Sequence, residues 1–301
     1  MGLTEKLAAA WAARHGFHGD SQTTAYRLFH GHGEGEPALN VDRFGDALVF
    51  WVRQPDSVDL ERATSFYQAR LKPQVIVAKE GSRDPGRILV GSRPTGPLTV
   101  CENGLYFAVD LLAAQNAGLF LDARPARQWV RDHSCDRRIA NLFAYTGSLG
   151  VAARAGGARS VEHVDLQGGQ LKRARLNHEL NGQSADPRDF QAMEVGRWLR
   201  QSIKKGRRFD GIILDPPPRT PRGRAHFRRE RLYELAAHGL NPGGWVLVFF
   251  NRRGVCKEAE EKRVFDCAGK GLERLWRGTS DSDFPEQTLQ DRLSFGAYRK
   301  V

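Results

Sequence analysis

Short apolar runs alternate with helix-like stretches in the second half of the chain. Each run is typical of a buried strand, and the stretches between several of them have helical spacing of apolar residues. The runs lie at residues 138–143, 160–165, 190–194, 211–214 and 245–250, and helical spacing is seen up to Ala155 and over 169–180 and 228–238. Strands that alternate with helices predict a doubly wound, parallel sheet.

The first hundred residues have a different pattern, with more strand and less helix. Asn103-Gly104, between two apolar runs, predicts a hairpin over 98–110. Other short apolar runs are bounded by turn residues, and one stretch has helical spacing. Strands are therefore expected at 38–41, 47–52, 75–78 and 87–90, and a helix over 59–71.

This change of pattern divides the chain near residues 110–120. We predict a small α+β, substrate-facing domain over 1–115 and a larger α/β domain over 116–301. No run approaches 18 apolar residues, so no membrane span is expected, and residues 1–20 have no signal-peptide pattern. The four cysteines form no CxxC pair and have no histidine cluster beside them, so we expect no metal site and a reducing cytoplasm.

The charge of the chain favours a polyanionic partner. Lysine and arginine number 46 against 35 acidic residues, a net charge of +11. Lys204, Lys205, Arg207 and Arg208 form one cluster, and six arginines crowd a second segment. These six are Arg219, Arg222, Arg224, Arg228, Arg229 and Arg231. Clustered cations bind phosphates by releasing counterions; the alternative is a solvated, arginine-rich helix face.

Chemically useful residues fall at the predicted strand ends, where an open α/β sheet binds its ligands. Gly147 follows the first strand and allows a tight turn. Asp165 ends the second strand and can accept hydrogen bonds from ribose hydroxyls. Glu194 follows the third strand and could bind an adenine amino group. The alternatives are an ordinary turn at Gly147 and a helix N-cap at Asp165.

The first strand is not followed by the GxGxxG fingerprint of nicotinamide enzymes. A pyrophosphate needs more free backbone amides than one tight glycine turn provides. A cofactor without phosphates does not, so S-adenosylmethionine is favoured over a dinucleotide.

Asp215-Pro216-Pro217 ends the fourth strand and is the sharpest local motif. The prolines fix the backbone and remove amide donors, so a rigid loop would face the target atom. Methyl transfer depends largely on positioning, which such a loop supplies. A plain strand-ending proline turn is the alternative. The arginine-rich segment follows directly, which favours RNA or DNA over a small molecule as the substrate.

At these residues the chain resembles the bacterial methyltransferases of large-subunit ribosomal RNA. The resemblance covers about residues 22–300. Its motifs are Ala25–Gly31, Val41–Asp46, Gly118–Arg124, Phe143–Gly147, Val164-Asp165 and Leu214–Pro217. The N-terminal motifs resemble the cytosine-C5 branch of the family, in which an RNA-binding PUA domain precedes both other domains. Since about 20 residues precede the match, we expect this chain to lack that domain.

The resemblance implies an α/β fold, with a Rossmann-like class I methyltransferase domain behind a smaller N-terminal α+β domain. It implies S-adenosylmethionine as the cofactor and ribosomal RNA, or its precursor, as the partner. The residues it assigns to the cofactor are Phe120, Asp122, Phe143, Tyr145, Thr146, Gly147, Asp165 and Glu194. From the residues themselves we expect catalysis to involve Asp215, Pro216, Pro217 and Asn251. Asn251 could hydrogen-bond a base edge, and a strand-end turn residue is the alternative. We expect RNA binding by Arg219, Arg222, Arg224 and Arg228.

The residues after the fifth strand bear on the methylated atom. Cytosine C5 is a poor nucleophile, and enzymes activate it by adding a cysteine thiolate to C6. The cytosine branch has that cysteine after the fifth strand, whereas this chain has Asn251 there, with Cys256 off register. The segment resembles instead the guanine-N7 half of the fused 23S enzyme, as do Glu102–Leu105 and Ser282–Phe284. Guanine N7 has a free lone pair and needs no covalent nucleophile, so we predict this atom.

Three alternatives stay open from the sequence. The enzyme could methylate cytosine C5 or another base position. The chain could be a non-catalytic RNA-binding paralogue, against which the intact Gly147, Asp165 and Asp215 argue. It could also methylate a small molecule. Monomer and dimer are equally compatible with the sequence.

Overall fold

The computed structural model describes residues 1–54, 57–81, 84–113, 116–218, 229–252, 254–268, 271–288 and 291–301. They form two compact units. The first unit is Met1–Arg124 with Ser280–Arg292, and the second is Pro125–Thr279 with Leu293–Val301. The division differs from the predicted 1–115 and 116–301, because the boundary lies at residue 124 and a C-terminal segment belongs to the first unit.

The first unit is an α+β structure around a five-stranded sheet of order β1-β2-β3-β4-β5. Only β3 and β4 pair in parallel, and α3 connects them, with Asp59 accepting a hydrogen bond from the Arg62 amide as the helix N-cap. α1 and α3 contribute to the core on this sheet. The elements are α1 (Leu3–Ala13), α2 (His15–His18), β1 (Ala25–His30), β2 (Leu39–Phe44), β3 (Ala47–Val52), α3 (Leu60–Leu71), β4 (Val75–Glu80), β5 (Arg87–Val90), β6 (Leu98–Glu102) and β7 (Leu105–Val109).

The hairpin predicted over 98–110 is confirmed, and the strands expected at 38–41 and 47–52 also form a hairpin. β2 and β3 pair antiparallel from Leu39 to Val52, and β6 and β7 pair antiparallel around Asn103 and Gly104. Asn103 and Gly104 both have positive φ, at 48° and 76°. This is the conformation that a two-residue hairpin turn requires and that an Asn-Gly pair adopts most readily.

The second unit is built on a seven-stranded sheet of order β10-β9-β8-β11-β12-β14-β13. Its elements are α4 (Arg124–Asp132, whose first residue belongs to the first unit), β8 (Arg138–Leu142), α5 (Ser148–Ala155), β9 (Ser160–Asp165), α6 (Gly168–Leu180), β10 (Phe190–Ala192), α7 (Val195–Lys204), β11 (Phe209–Leu214), α8 (Arg229–Gly239), β12 (Leu240–Phe250), α9 (Lys257–Ala268), β13 (Leu272–Thr279) and β14 (Ser294–Lys300).

The five strands that the sequence predicted are parallel, but the whole sheet is not. β14 pairs antiparallel with both β12 and β13, so the sheet is mixed. Antiparallel partners need no crossover helix, and no helix is described between β13 and β14, so this pair breaks the strand–helix alternation on which the prediction rested. β12 begins before the predicted run at 245–250, and residues 241–244 form an irregularity within it.

Helices cover both faces of this sheet, as a doubly wound fold requires. On one face, Ala140 and Leu142 of β8 share a core with residues of α7, α8 and α9. Successive strand residues point to opposite faces. Accordingly Trp245 packs edge-on against Trp129 of α4 on the other face, with ring centroids 5.0 Å apart. The described residues include no helix long and apolar enough to cross a membrane.

Candidate active site

Five parallel strands bring most of the predicted site residues to one edge of the sheet in the second unit. The carboxyl ends of β8, β9, β10, β11 and β12 lie at this edge because the strands run in the same direction. β8 is flanked by β9 on one side and β11 on the other, so the strand order reverses at β8. An open α/β sheet binds its ligands at such a point. We call this the catalytic edge.

The loop after β8 has a backbone that ordinary residues rarely adopt. Phe143 and Tyr145 have φ of 58° and 49°, in the left-handed region, although neither is glycine. Gly147 follows with φ of 75°, and a Cβ there would lie 2.7 Å from the Cβ of Ala174 in α6. Left-handed conformations of bulky residues cost free energy and cluster at functional sites. The loop is therefore the strongest backbone indication of a site at this edge.

Asp165 ties this loop to the end of β9. Its Oδ2 accepts a hydrogen bond from the Tyr145 amide at 3.0 Å, and its Oδ1 accepts one from the Gln167 amide at 2.8 Å. Gln167, and not Asp165, is the N-cap of α6, so the N-cap alternative for Asp165 is wrong. Each carboxylate oxygen can accept two hydrogen bonds. The half-buried carboxylate therefore keeps acceptor capacity for ribose hydroxyls.

Glu194 is the N-cap of α7, a role that the sequence did not predict. Its carboxylate accepts hydrogen bonds from the amides of Gly196 at 2.8 Å and Arg197 at 2.5 Å. One of its oxygens is 3.8 Å from the guanidinium of Arg200. The cap fixes the carboxylate at the catalytic edge and leaves lone pairs available. Contact with an adenine amino group stays a prediction.

Three buried polar side chains, those of Asn141, His163 and His178, are linked beneath the loop that follows β8. The Asn141 amide lies 3.2 Å from Nδ1 of His163, and Nε2 of His163 lies 3.0 Å from Nε2 of His178. Burial lowers the pKa of His163 well below its usual value and lowers the pKa of His178 to about 4. Both rings are therefore neutral at pH 7. Gly150 of α5 packs directly on the His163 ring, so a larger residue would displace it.

Asp215 and Asn251 meet at the ends of β11 and β12. The Asn251 amide nitrogen donates to Oδ1 of Asp215 at 2.9 Å and to the carbonyl of Pro216 at 2.8 Å. Arg229, the first residue of α8, donates to Oδ1 of Asn251 at 3.1 Å and to the carbonyls of Pro216 and Pro217 at 3.2 and 2.9 Å. Pro216 is buried and Pro217 is exposed. The predicted catalytic loop is thus held by two side chains.

These contacts give Asn251 a bracing role. Both hydrogens of its amide group are used on Asp215 and Pro216, and its oxygen already accepts from Arg229. An amide oxygen has two lone pairs, so one acceptor site remains. In this arrangement Asn251 can accept from a base but offers it no donor. Its predicted contact with a base edge stays a prediction, restricted to an acceptor role.

Sequence reasoning missed Arg229 and Lys257 as residues that shape the edge. Arg229 was counted only as one of six clustered arginines. Lys257, 4% exposed, donates from Nζ to the carbonyls of Phe250 and Arg252 at 2.8 Å each, which holds the chain on either side of Asn251. Lys257 begins α9, where the helix dipole disfavours a cation. A lysine at a helix N-terminus is unfavourable unless its ammonium group has other partners, so its place in the sequence could have indicated the carbonyl contacts.

Cys256 does not occupy the position of a nucleophile at the strand end. It is exposed, and its Sγ donates to Oε2 of Glu258 at 3.2 Å. It lies directly before α9, five residues beyond Asn251, which is the first residue after β12. Among the residues that the structure describes, no group of three or more histidine, cysteine or acidic side chains could hold a metal ion.

Phe120 and Asp122 belong to the first unit, whereas Thr146 lies in the loop after β8. Phe120, 43% exposed, precedes a 3-10 turn over Leu121–Ala123 in the first unit, and Asp122 is half-buried in that turn. The predicted RNA-binding residues Arg219, Arg222, Arg224 and Arg228 lie outside the described residues. Thr146 is buried, and its carbonyl accepts a hydrogen bond from Asn177 at 2.8 Å.

The side chains at the catalytic edge suit S-adenosylmethionine. Asp165 and Glu194 are carboxylates with unused lone pairs, which match ribose hydroxyls and an amino group. Two carboxylates would repel the pyrophosphate of a dinucleotide. The single turn of Gly147 also provides few free amides for phosphate oxygens. The donors and acceptors therefore fit a cofactor that is rich in donors and has no phosphate.

Comparisons with known proteins agree with this choice of cofactor. The model of the S-adenosylmethionine-dependent methyltransferase family matches residues 26–261. Ribosomal RNA large subunit methyltransferase I of Aeromonas salmonicida is 32% identical over 279 residues, which cover 87% of this chain and 70% of that protein. A Streptococcus mutans structure assigned as a SAM-dependent methyltransferase matches with a TM-score of 0.87 and 21% identity, over 98% of this chain and 80% of that chain. A methyltransferase structure complexed with SAH matches with a TM-score of 0.89 and 22% identity, over the same shares. These two structures show the fold.

Proposed function

Because the chain belongs to the S-adenosylmethionine-dependent methyltransferase family, we propose that it methylates ribosomal RNA of the large subunit, with guanine N7 as the target atom. The similarity to the Aeromonas salmonicida enzyme, which extends over most of both chains, carries the choice of substrate. The net charge of +11 supports a polyanionic substrate.

The cofactor supplies an electrophilic methyl group. Asp165 is suited to hold ribose hydroxyls, and Glu194 to accept from the adenine amino group. Phe143 and Tyr145 have left-handed backbone conformations, and the loop is held beside Asp165 by the hydrogen bond from the Tyr145 amide to its Oδ2. Because this loop is already ordered, little free energy is lost in arranging it when the cofactor binds.

Two features favour guanine N7: the fixed carboxylate of Asp215, and Asn251 beside it in place of a cysteine. N7 carries a lone pair and no proton, so its methylation requires neither a thiolate nor a base. The ring becomes more positive as the methyl group transfers, and a fixed carboxylate stabilises that charge. Asn251 holds the Asp215 carboxylate in place, where the cytosine branch would have its cysteine.

The test is methyl transfer from tritiated S-adenosylmethionine to unmodified ribosomal RNA, followed by digestion and chromatography of the labelled nucleoside. We expect the label in 7-methylguanosine. Asp215→Asn removes the charge with little change of shape and should lower kcat about 100-fold. Asp210→Asn is the matched control, because Asp210 lies at the opposite end of the same strand. Cys256→Ser should retain full activity.

Two results would overturn parts of this proposal. Label in 5-methylcytidine that disappears in Cys256→Ser would make the cysteine the nucleophile and exclude N7. Cofactor binding without label in any RNA would remove ribosomal RNA as the substrate and leave a small-molecule substrate or a non-catalytic RNA-binding role.

A further inference from the structure

Helix α7 has one apolar face and one basic face. Val195, Trp198, Leu199 and Ser202 are buried, which fixes the orientation of the helix on the sheet. At 3.6 residues per turn, Arg197, Arg200 and Lys204 fall within an arc of about 60° on the opposite side. All three are exposed, and exposed Lys205 follows them as the helix C-cap. We call these four residues the α7 basic stripe.

The stripe lies in a segment without acidic residues. Between Glu194 and Asp210 the chain contains six cations and no aspartate or glutamate. Two of the six have partners inside the unit. Arg207 pairs with Glu162 and lies over the rings of Trp198 and Phe209, and Arg208 donates to backbone carbonyls. The four residues of the stripe remain directed to solvent.

Exposed arginines elsewhere on the protein are commonly paired with a neighbouring carboxylate. Examples are Arg62 with Asp59, Arg87 with Glu80, Arg188 with Asp186, Arg231 with Glu234 and Arg277 with Glu258. In the stripe, only Arg200 has a carboxylate within 4.0 Å among the described residues, at 3.8 Å from Glu194. The other three cations, Arg197, Lys204 and Lys205, have no carboxylate within 4.0 Å among the described residues, and like charges along one helix face repel one another. An anionic partner would relieve that repulsion.

The chemistry of the exposed face favours a phosphate backbone over a protein. Interfaces between proteins have apolar or aromatic residues at their centre, and none of the large exposed apolar residues lies on α7. Interfaces with nucleic acids are more polar and more positive. Aromatic side chains that could stack a base are also missing from this face. The stripe can bind phosphates but cannot read bases.

We propose that the α7 basic stripe binds the phosphate backbone of the RNA substrate, independently of sequence. This inference rests on the proposed function. The helix begins at Glu194 on the catalytic edge and extends for about 15 Å, at 1.5 Å per residue, towards the start of β11. The stripe would anchor RNA that flanks the methylated nucleotide, which leaves base selection to the catalytic edge.

The test is the salt dependence of RNA binding. Affinity for a 23S ribosomal RNA transcript is measured by filter binding over a range of salt concentrations. The variants are R197Q/R200Q and K204Q/K205Q, in which glutamine keeps helix propensity. K262Q/R263Q is the matched control, because it removes the same charge from exposed positions of α9 on the same sheet face. Affinity for S-adenosylmethionine is measured for all four proteins.

Each stripe variant should lose two phosphate contacts. The slope of log affinity against log salt should then become shallower by about 1.4–1.8. KM for RNA should rise for both stripe variants. In K204Q/K205Q, kcat and cofactor affinity should stay unchanged, because Arg200 is the stripe residue that lies within 4.0 Å of Glu194. The control should keep the wild-type slope. A stripe variant that also keeps the wild-type slope would overturn the proposal, even if the wild type methylates the transcript. A wild type that neither binds nor methylates RNA would overturn the stripe and the proposed function together.

Discussion

At the residue scale, the catalytic edge depends on how one arginine orients one amide. Arg229 donates to Oδ1 of Asn251, and this leaves the amide hydrogens of Asn251 directed at Asp215 and Pro216. If the Asn251 amide were turned over, its NH2 group would face the guanidinium of Arg229, and both groups are donors. Arg229 therefore acts on Asp215 through Asn251, as a positioning residue.

Arg229→Met should loosen the catalytic loop without unfolding α8. We expect kcat to fall 10- to 100-fold, since a loss of about 1.4–2.8 kcal/mol of transition-state stabilisation corresponds to that range. Affinity for S-adenosylmethionine should not change. Arg229→Lys should recover part of the activity because it restores a donor. Steady-state kinetics and equilibrium cofactor binding measure both effects.

The control for this variant lies in the same helix. Arg231 is exposed and pairs with Glu234 at 2.5 Å, away from the loop. Arg231→Met removes the same charge from α8. If both variants lost activity equally, net charge rather than the brace would explain the loss, and the positioning role of Arg229 would be wrong.

The sequence was sufficient to nominate Asp165, Asp215 and Asn251, because each stands at the end of an apolar strand. It could not nominate Arg229 as a brace, since its partners are backbone carbonyls 12 and 13 positions earlier and the side chain of Asn251. It could not show that the amide hydrogens of Asn251 are used on Asp215 and Pro216. Hydrogen-bond partners of this kind depend on tertiary contact and have no local signal.

At the element scale, β9 and α6 meet through two neutral histidines. His163 and His178 are buried and bonded to each other, and burial lowers the pKa of both below the usual value of 6.5. The unfolded chain takes up protons near pH 6.5, whereas the folded chain does not until the pH approaches about 4 for His178. Stability therefore falls as the pH decreases from 6.5 towards 4.

His178→Gln should flatten this pH dependence. Each histidine that is protonated only when unfolded contributes a slope of about 1.4 kcal/mol per pH unit. We expect the variant to lose about that much of the wild-type slope between pH 6 and pH 5, measured by urea unfolding. His238→Gln, at an exposed position of α8, serves as the control. A variant with the full wild-type slope would mean that His178 is not a buried neutral group.

Elements with a clear period were predictable, and elements without one were not. The strands β8, β9, β10 and β11 and the helices α5 and α6 were placed within a few residues, because the strands are apolar runs and the helices have helical spacing of apolar residues. α7 was not predicted, and Lys204 and Lys205 at its end were interpreted only as part of a basic cluster. β13 and β14 were not predicted; they pair antiparallel, and no helix is described between them to mark the second strand.

At the scale of the whole molecule, the chain does not divide at a single point. It leaves the second unit after Thr279, contributes 280–292 to the first unit, and returns to the second at Leu293. Asp283 holds this segment in the first unit. It is fully buried, accepts from Arg124 at 2.7 Å and accepts from the Arg27 amide at 2.9 Å. The pattern of strands and helices along the sequence cannot show that residues 280–292 belong to the first unit.

Asp283→Asn should destabilise the protein strongly. Burial raises the pKa of Asp283, and the positive charge of Arg124 opposes that rise. Either charge would be unfavourable in this buried environment without the other. Removing one partner of a buried pair costs about 3–5 kcal/mol. Asp281→Asn is the matched control, because Asp281 is 42% exposed and 3.7 Å from the same arginine. Its loss should cost less than about 1 kcal/mol. Urea unfolding compares the two, and equal losses would contradict the assignment of Asp283 as the anchor.

The central claim is methyl transfer to large-subunit ribosomal RNA at the catalytic edge. The most direct measurement compares tritium transfer from S-adenosylmethionine to unmodified transcripts of 23S and 16S ribosomal RNA, side by side, with wild-type protein and Asp215→Asn. We predict label in the 23S transcript, little in the 16S transcript, and a loss of about 100-fold in the variant. Equal label in both transcripts, or full activity in Asp215→Asn, would contradict the account.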